Sequence, residues 1–154
     1  IGDIQVSGPN VFKGYWNLPD KTSEEFTPDH YFETGDKGYF DEDGYLFIVG
    51  RNKDMIITGG LNVYPKEVET YIDEIDGVNE SAVIGLKDDD FGEKVVAIVV
   101  LDEKSDLKEA EIINLAKESI AGFKVPKEVI FINELPRNAM GKVQKNILRD
   151  LYKS

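Results

Sequence analysis

At 154 residues the chain is long enough for one ordinary domain, or for a small domain with a piece of another, and 41 % hydrophobic content supplies a core. Its 18 Lys and Arg against 30 Asp and Glu give a net charge of −12, which argues against nucleic acid or an anionic membrane surface as partner, since both need clustered positive charge. With no cysteine there is no disulfide scaffold, thiolate metal site or Cys nucleophile, and a single histidine, His30, argues against a His-based metal site or a Ser–His dyad.

Residues 1–49 read as short strands and turns. Ile4 and Val6 alternate with polar residues, Gly8-Pro9-Asn10 punctuates, and Asp41-Glu42-Asp43-Gly44 is a turn ahead of a strand at 45–49. The opening segment looks like a strand cut from a larger sheet. With no Met at position 1, the chain is expected to be a portion of a longer protein. Ile1-Gly2-Asp3-Ile4 lacks the layout of a signal peptide, and no apolar run approaches the roughly 20 residues of a membrane span, so no membrane contact and a cytoplasmic location are expected.

Gly50-Arg51-Asn52-Lys53-Asp54 is a polar break before a strand at 55–58, and Gly59-Gly60 then forces a turn or a close backbone approach. Pro65 suits a first helical turn. Val68, Tyr71, Ile72 and Ile75 recur at i, i+3, i+4 and i+7, which predicts an amphipathic helix ending at Gly77. Two β-branched apolar runs, 81–86 and 95–101, flank a turn at 88–92. Asp106 predicts a cap, with Glu109 as its capping-box partner, for a helix carrying Leu107, Ala110, Ile113, Ala116 and Ile120. A strand at 129–132, a mobile loop at 136–141 and a last helix with Ile147, Leu148, Leu151 and Tyr152 on one side follow. From about residue 54 onward the pattern is that of a compact α+β domain.

Four segments carry chemistry, and each also has a plain structural reading. Asp36, after Thr34-Gly35, can accept hydrogen bonds from a vicinal diol such as a ribose, or merely close a turn. Arg51 presents a rigid fork of donors to a ribose or phosphate oxygen, or ends a hairpin in solvent. Gly59 and Gly60 let a ligand lie against the backbone, or make a tight strand-to-helix corner. Lys142, following Pro136-Arg137-Asn138-Ala139-Met140-Gly141, delivers a compact cation suited to charge that develops on a phosphoryl group or carboxylate, or is one more exposed lysine.

Taken together, Thr34-Gly35-Asp36, Gly50-Arg51, Gly59-Gly60 with Asn62-Val63-Tyr64-Pro65, and Pro136-Arg137-Asn138 with Gly141-Lys142 resemble, in order and spacing, the adenylate-forming superfamily. The resemblance covers essentially the whole chain, including Gly14-Tyr15-Trp16, and the segments 8–16, 57–67 and 136–146 look most like malonyl-CoA synthetases. It implies the C-terminal portion of an ATP-dependent, AMP-forming acyl-CoA synthetase. The β-rich tail of an N-terminal AMP-binding domain would span 1–52, and a C-terminal lid domain, with a mixed or antiparallel sheet and about three helices, would span 53–154.

Carried over, the resemblance makes Asp36 and Arg51 the ATP/AMP-binding residues, Lys53 the hinge, Gly59 and Gly60 the CoA-side glycines, and Lys142 the catalytic residue of adenylation. The implied reactants are a small carboxylate, ATP and CoA, with Mg²⁺ whose ligands are not in this chain. The phosphate loop, adenine pocket and acyl pocket would lie in the missing N-terminal domain of the same enzyme, so the chain alone is expected not to form acyl-AMP. Alternatives are an adenylation domain serving a carrier protein, a synthetase for another short-chain, fatty or aromatic acid, and a non-catalytic interaction or regulatory module.

Overall fold

In this computed structural model residues 1–153 are described, and they fall into two compact units, Ile1–Lys53 and the remainder from Asp54 onward. In the first unit β1 (Gly2–Val6), β2 (Phe32–Phe40) and β3 (Leu46–Arg51) form an antiparallel sheet in the order β1-β2-β3. Between β1 and β2 lies a helix absent from the sequence reading, α1 (Pro19–Glu25). No residue of α1 is buried, so it has no apolar stripe to announce it; Pro19 starts it, and the Thr22 hydroxyl donates to the Leu18 carbonyl at 2.9 Å. Beside it, Phe12, Tyr15, Phe26 and Phe32 meet largely edge to face at 5.0–5.6 Å between centroids, the arrangement ring quadrupoles favour.

A 3₁₀ turn, Asn52–Asp54, contains Lys53. The second unit runs β4 (Ile56–Thr58), β5 (Leu61–Val63), α2 (Pro65–Asp73), β6 (Val78–Asp88), β7 (Gly92–Leu101), α3 (Glu109–Ser119), β8 (Glu128–Phe131) and α4 (Lys145–Tyr152). Three helices on a mixed sheet match the expected α+β class. β6 and β7 are longer than their apolar runs because the ladder continues, from Val78 opposite Leu101 to Asp88 opposite Gly92. The other edge of β7 is shared: β8 pairs parallel to it over Val96–Val99, and β4 meets it at Thr58 opposite Gly92.

The β6–β7 hairpin is buried on both faces, which is why its sequence is continuously apolar rather than alternating. Val83, Val95, Ala97 and Val99 pack with Val68 and Ile72 of α2 and Ile112 of α3. Ala82, Ile84, Leu86, Val96, Ile98 and Val100 pack on the opposite side with Leu135 and with Leu148 of α4. Each fully buried Val or Ile contributes about 1.5–3 kcal/mol to folding. Within α4, Leu148 is buried whereas Leu151 is 66 % exposed, so the expected four-residue stripe is narrower.

Two helix boundaries differ from expectation. α2 ends at Asp73, with Ile75 and Gly77 in the turn that follows. α3 starts two residues later than Asp106 suggests: the Glu111 carboxylate accepts the Lys108 N–H at 2.8 Å. Glu109, expected in that role, instead accepts the Val129 N–H at 2.9 Å and fastens β8 to the helix.

Candidate functional site

In the first unit, Thr34-Gly35-Asp36 is not a turn but an irregular part of β2. The β1–β2 register steps from Asp3 opposite Lys37 to Gln5 opposite Glu33, so Thr34, Gly35 and Asp36 together face Ile4. Gly35 takes φ +72, a left-handed conformation that a side chain rarely adopts. The Thr34 hydroxyl donates to the Ile4 carbonyl at 2.9 Å and accepts the Asp36 N–H at 3.1 Å, locking the bulge. Asp36 lies opposite Arg51 in the β2–β3 ladder, and the Arg51 Nε donates to its Oδ1 at 3.1 Å. Sequence order thus hid a pair that strand register brings together. The carboxylate keeps a second oxygen, and the guanidinium both of its Nη groups, for a polyhydroxylated or anionic ligand.

In the second unit, Gly59 and Gly60 form the two-residue turn of the β4–β5 hairpin, with φ +56 and +78. Two consecutive positive φ values are the requirement of a type I′ turn, which favours glycine at both positions. The glycines therefore serve a hairpin rather than a strand-to-helix corner, and β5 intervenes before Pro65 opens α2. A Cβ on Gly60 would meet nothing within 4 Å, whereas one on Gly59 would lie 3.3 Å from the Phe91 ring. The Gly59 N–H donates to the Phe91 carbonyl at 2.8 Å, which fastens the turn to the Asp88–Gly92 end of the β6–β7 hairpin.

Lys142 occupies the other end. Rather than a mobile loop, residues 137–143 form a closed hairpin with Arg137 bridged to Val143. The Asn138 N–H donates to the Lys142 carbonyl at 2.9 Å, and the Asn138 Oδ1 accepts the N–H groups of Met140 and Lys142, both at 3.0 Å. Gly141 takes φ +78. Arg137 donates from Nη1 to the Gly141 carbonyl at 2.7 Å and from Nη2 to the Glu80 carboxylate on β6. Leu135 and Val143 pack on the sheet, while Met140 and Lys142 are exposed at the tip. Glu80 and Asp88 are eight residues apart on one strand, so the anchors of the Lys142 hairpin and of the Gly-Gly turn are separated by about 25 Å.

Behind this hairpin, Glu69 on α2 is 7 % exposed. Its Oε1 accepts the Val83 N–H at 2.8 Å and lies 2.5 Å from the Lys145 Nζ at the start of α4. Neither this pair nor the Arg137–Glu80 pair was foreseen, because their partners lie 76 and 57 residues apart in sequence. The Asn138 turn was readable: an Asn between Pro136 and Gly141 is a residue type that bonds its own backbone.

Residues 67–142 match the family described as the AMP-binding enzyme C-terminal domain. This stretch belongs to that family. The chain is similar to ATP-bound MatB from Rhodopseudomonas palustris, with a TM-score of 0.93 and 56 % identity over 99 % of this chain and 30 % of that one. Indoleacetate–CoA ligase of Aromatoleum aromaticum is 46 % identical over 150 residues, 97 % of this chain and 29 % of the ligase. Malonate–CoA ligase of Arabidopsis thaliana is 41 % identical over 160 residues, 97 % of this chain and 26 % of that ligase. The chain thus spans under a third of the length of the relatives it matches.

Among the described residues no helix is long and apolar enough to cross a membrane. Nor is any cluster of three or more His, Asp or Glu among them placed to hold a metal ion.

Proposed function

We propose that this chain is the C-terminal portion of an ATP-dependent, AMP-forming acyl-CoA ligase, and that the two ends of its second unit serve the two half-reactions. In the first, a carboxylate oxygen attacks the ATP α-phosphorus as the bond to pyrophosphate breaks. Lys142 stabilises the negative charge gathered between the two anions, more strongly in that transition state than in either reactant. Asp36 accepts the ribose hydroxyls, and Arg51 holds the carboxylate in place while donating to ribose or phosphate oxygen. In the second, the CoA thiolate attacks the acyl carbon as the acyl–oxygen bond to AMP breaks, with the Gly59-Gly60 turn offering a surface free of side chains to the incoming sulfur.

The observation that carries this reading is the placement of Lys142, exposed at the tip of a closed hairpin whose anchor on β6 lies about 25 Å along the strand from the end that holds the Gly-Gly turn. One reaction centre cannot take both features at once. The reading therefore has the second unit reorient as a body between half-reactions, pivoting at Lys53 in the 3₁₀ turn.

Malonate is the acid we assign. The three segments resembling malonyl-CoA synthetases and the 41 % identity with the Arabidopsis malonate–CoA ligase support it. The 46 % identity with an indoleacetate–CoA ligase is what a region without the acyl pocket would give. In the full-length protein, Lys142→Ala is expected to abolish pyrophosphate exchange with malonate and ATP while sparing thioester formation from supplied malonyl-adenylate. Equal loss of both steps overturns the division of roles, and exchange with indoleacetate but not malonate overturns the substrate.

A further inference from the structure

The hydrogen bonds around Lys142 are more numerous than the fold requires. The tip residues Ala139, Met140 and Gly141 are exposed, with Met140 78 % exposed, so ordering them adds no core contact. The Arg137 and Glu80 side chains are 44 % and 28 % exposed, and a pair so open to water contributes about 0–1 kcal/mol to stability. Yet the Arg137 and Asn138 side chains together make four bonds to the backbone of 140–142 and to Glu80, two N–H groups on Asn138 Oδ1 and two guanidinium contacts.

We propose that Arg137 and Asn138 are positioning residues for Lys142, which fix the direction of its Cα–Cβ bond so that only its four-carbon stem remains to be ordered when substrate binds. Asn138 Oδ1 holds the Lys142 N–H itself. Arg137 holds the carbonyl of Gly141, the residue before it, and ties that carbonyl to Glu80 on β6, a strand buried on both faces. The hairpin is thereby referenced to the central strand pair of the unit. A cation that acts on a transient charge needs this, because a misplacement of about 1 Å lowers rate roughly 100-fold while leaving affinity for the ground state nearly intact. This inference rests on the adenylation role assigned to Lys142.

The test uses the full-length ligase, with the acid it turns over fastest, and reads the two half-reactions separately. Arg137→Ala and Asn138→Ala are expected to lower kcat of adenylation about 10- to 100-fold, with KM for ATP within twofold and conversion of supplied acyl-adenylate within twofold. Asn138→Asp, which keeps the acceptor, is expected to recover most of the rate lost in Asn138→Ala. Glu80→Gln, which leaves the hairpin sequence untouched, is expected to shift kcat in the same direction by a smaller factor. Equal losses in both half-reactions, or full adenylation by Arg137→Ala and Asn138→Ala beside an inactive Lys142→Ala, would overturn the positioning role alone. Adenylation retained by Lys142→Ala overturns the functional reading and this inference with it.

Discussion

Glu69→Ala is the substitution whose cost follows most directly from geometry. The Glu69 side chain is 9 % exposed and that of Lys145 is 17 % exposed, and Oε1 also accepts the buried Val83 amide. Removing the carboxylate leaves a largely buried ammonium without its counter-ion, which costs about 3–5 kcal/mol, and a buried donor without an acceptor, worth about 1–3 kcal/mol. The residual exposure of Lys145 lets water relieve part of this, so a total of about 3–4 kcal/mol is expected. Glu69→Gln keeps an acceptor for the amide and loses only the ion pair, so it is expected to cost less than Glu69→Ala. Adding Lys145→Met to Glu69→Ala removes the orphaned charge and is expected to recover about 1–2 kcal/mol. Urea titration followed by circular dichroism reads all three, since most of the helical signal comes from α2, α3 and α4. A loss below about 1 kcal/mol for Glu69→Ala, or no recovery in the double variant, would refute the picture of a desolvated pair.

Gly60→Ala meets no steric obstacle, so its cost is set by φ +78 alone, about 1–2 kcal/mol by urea titration, and a larger loss would mean a contact not seen here. Asp36→Asn is expected to change stability by less than about 1 kcal/mol, because Arg51 is half exposed, yet to weaken nucleotide binding by the full-length protein roughly tenfold in calorimetry. Unchanged affinity would remove Asp36 from the nucleotide site. The chain by itself is expected to give no ATP–pyrophosphate exchange with malonate, and turnover in that assay would show that its 154 residues suffice for adenylation.

Much of the second unit was legible because its elements carry strong local signals. Pro65 with Val68 and Ile72 marked α2, and the apolar runs around residues 84 and 97 marked the central hairpin. What escaped depends on pairing across distance. Asp36 looked like a turn residue because Thr-Gly before it is ordinary turn chemistry; only the register with β1 and β3 makes it a bulge and sets it against Arg51. The segment before Lys142 looked mobile because Pro and Gly bracket it, yet Asn138 and Arg137 close it from within. Glu109 illustrates a third cause: a carboxylate near a helix start has several amides in reach, and tertiary packing chose Val129.

The length of the β6–β7 hairpin has one further consequence. The anchors of the Lys142 hairpin and of the Gly-Gly turn, about 25 Å apart along β6 and with no shared partner, lie well beyond the 7–10 Å within which substitutions usually interact. Changes at the Lys142 tip and at the Gly59-Gly60 turn should therefore combine additively in stability. By the same separation, the sequences of the Lys142 tip and of the Gly59-Gly60 turn are free to change one at a time, each without disturbing the other.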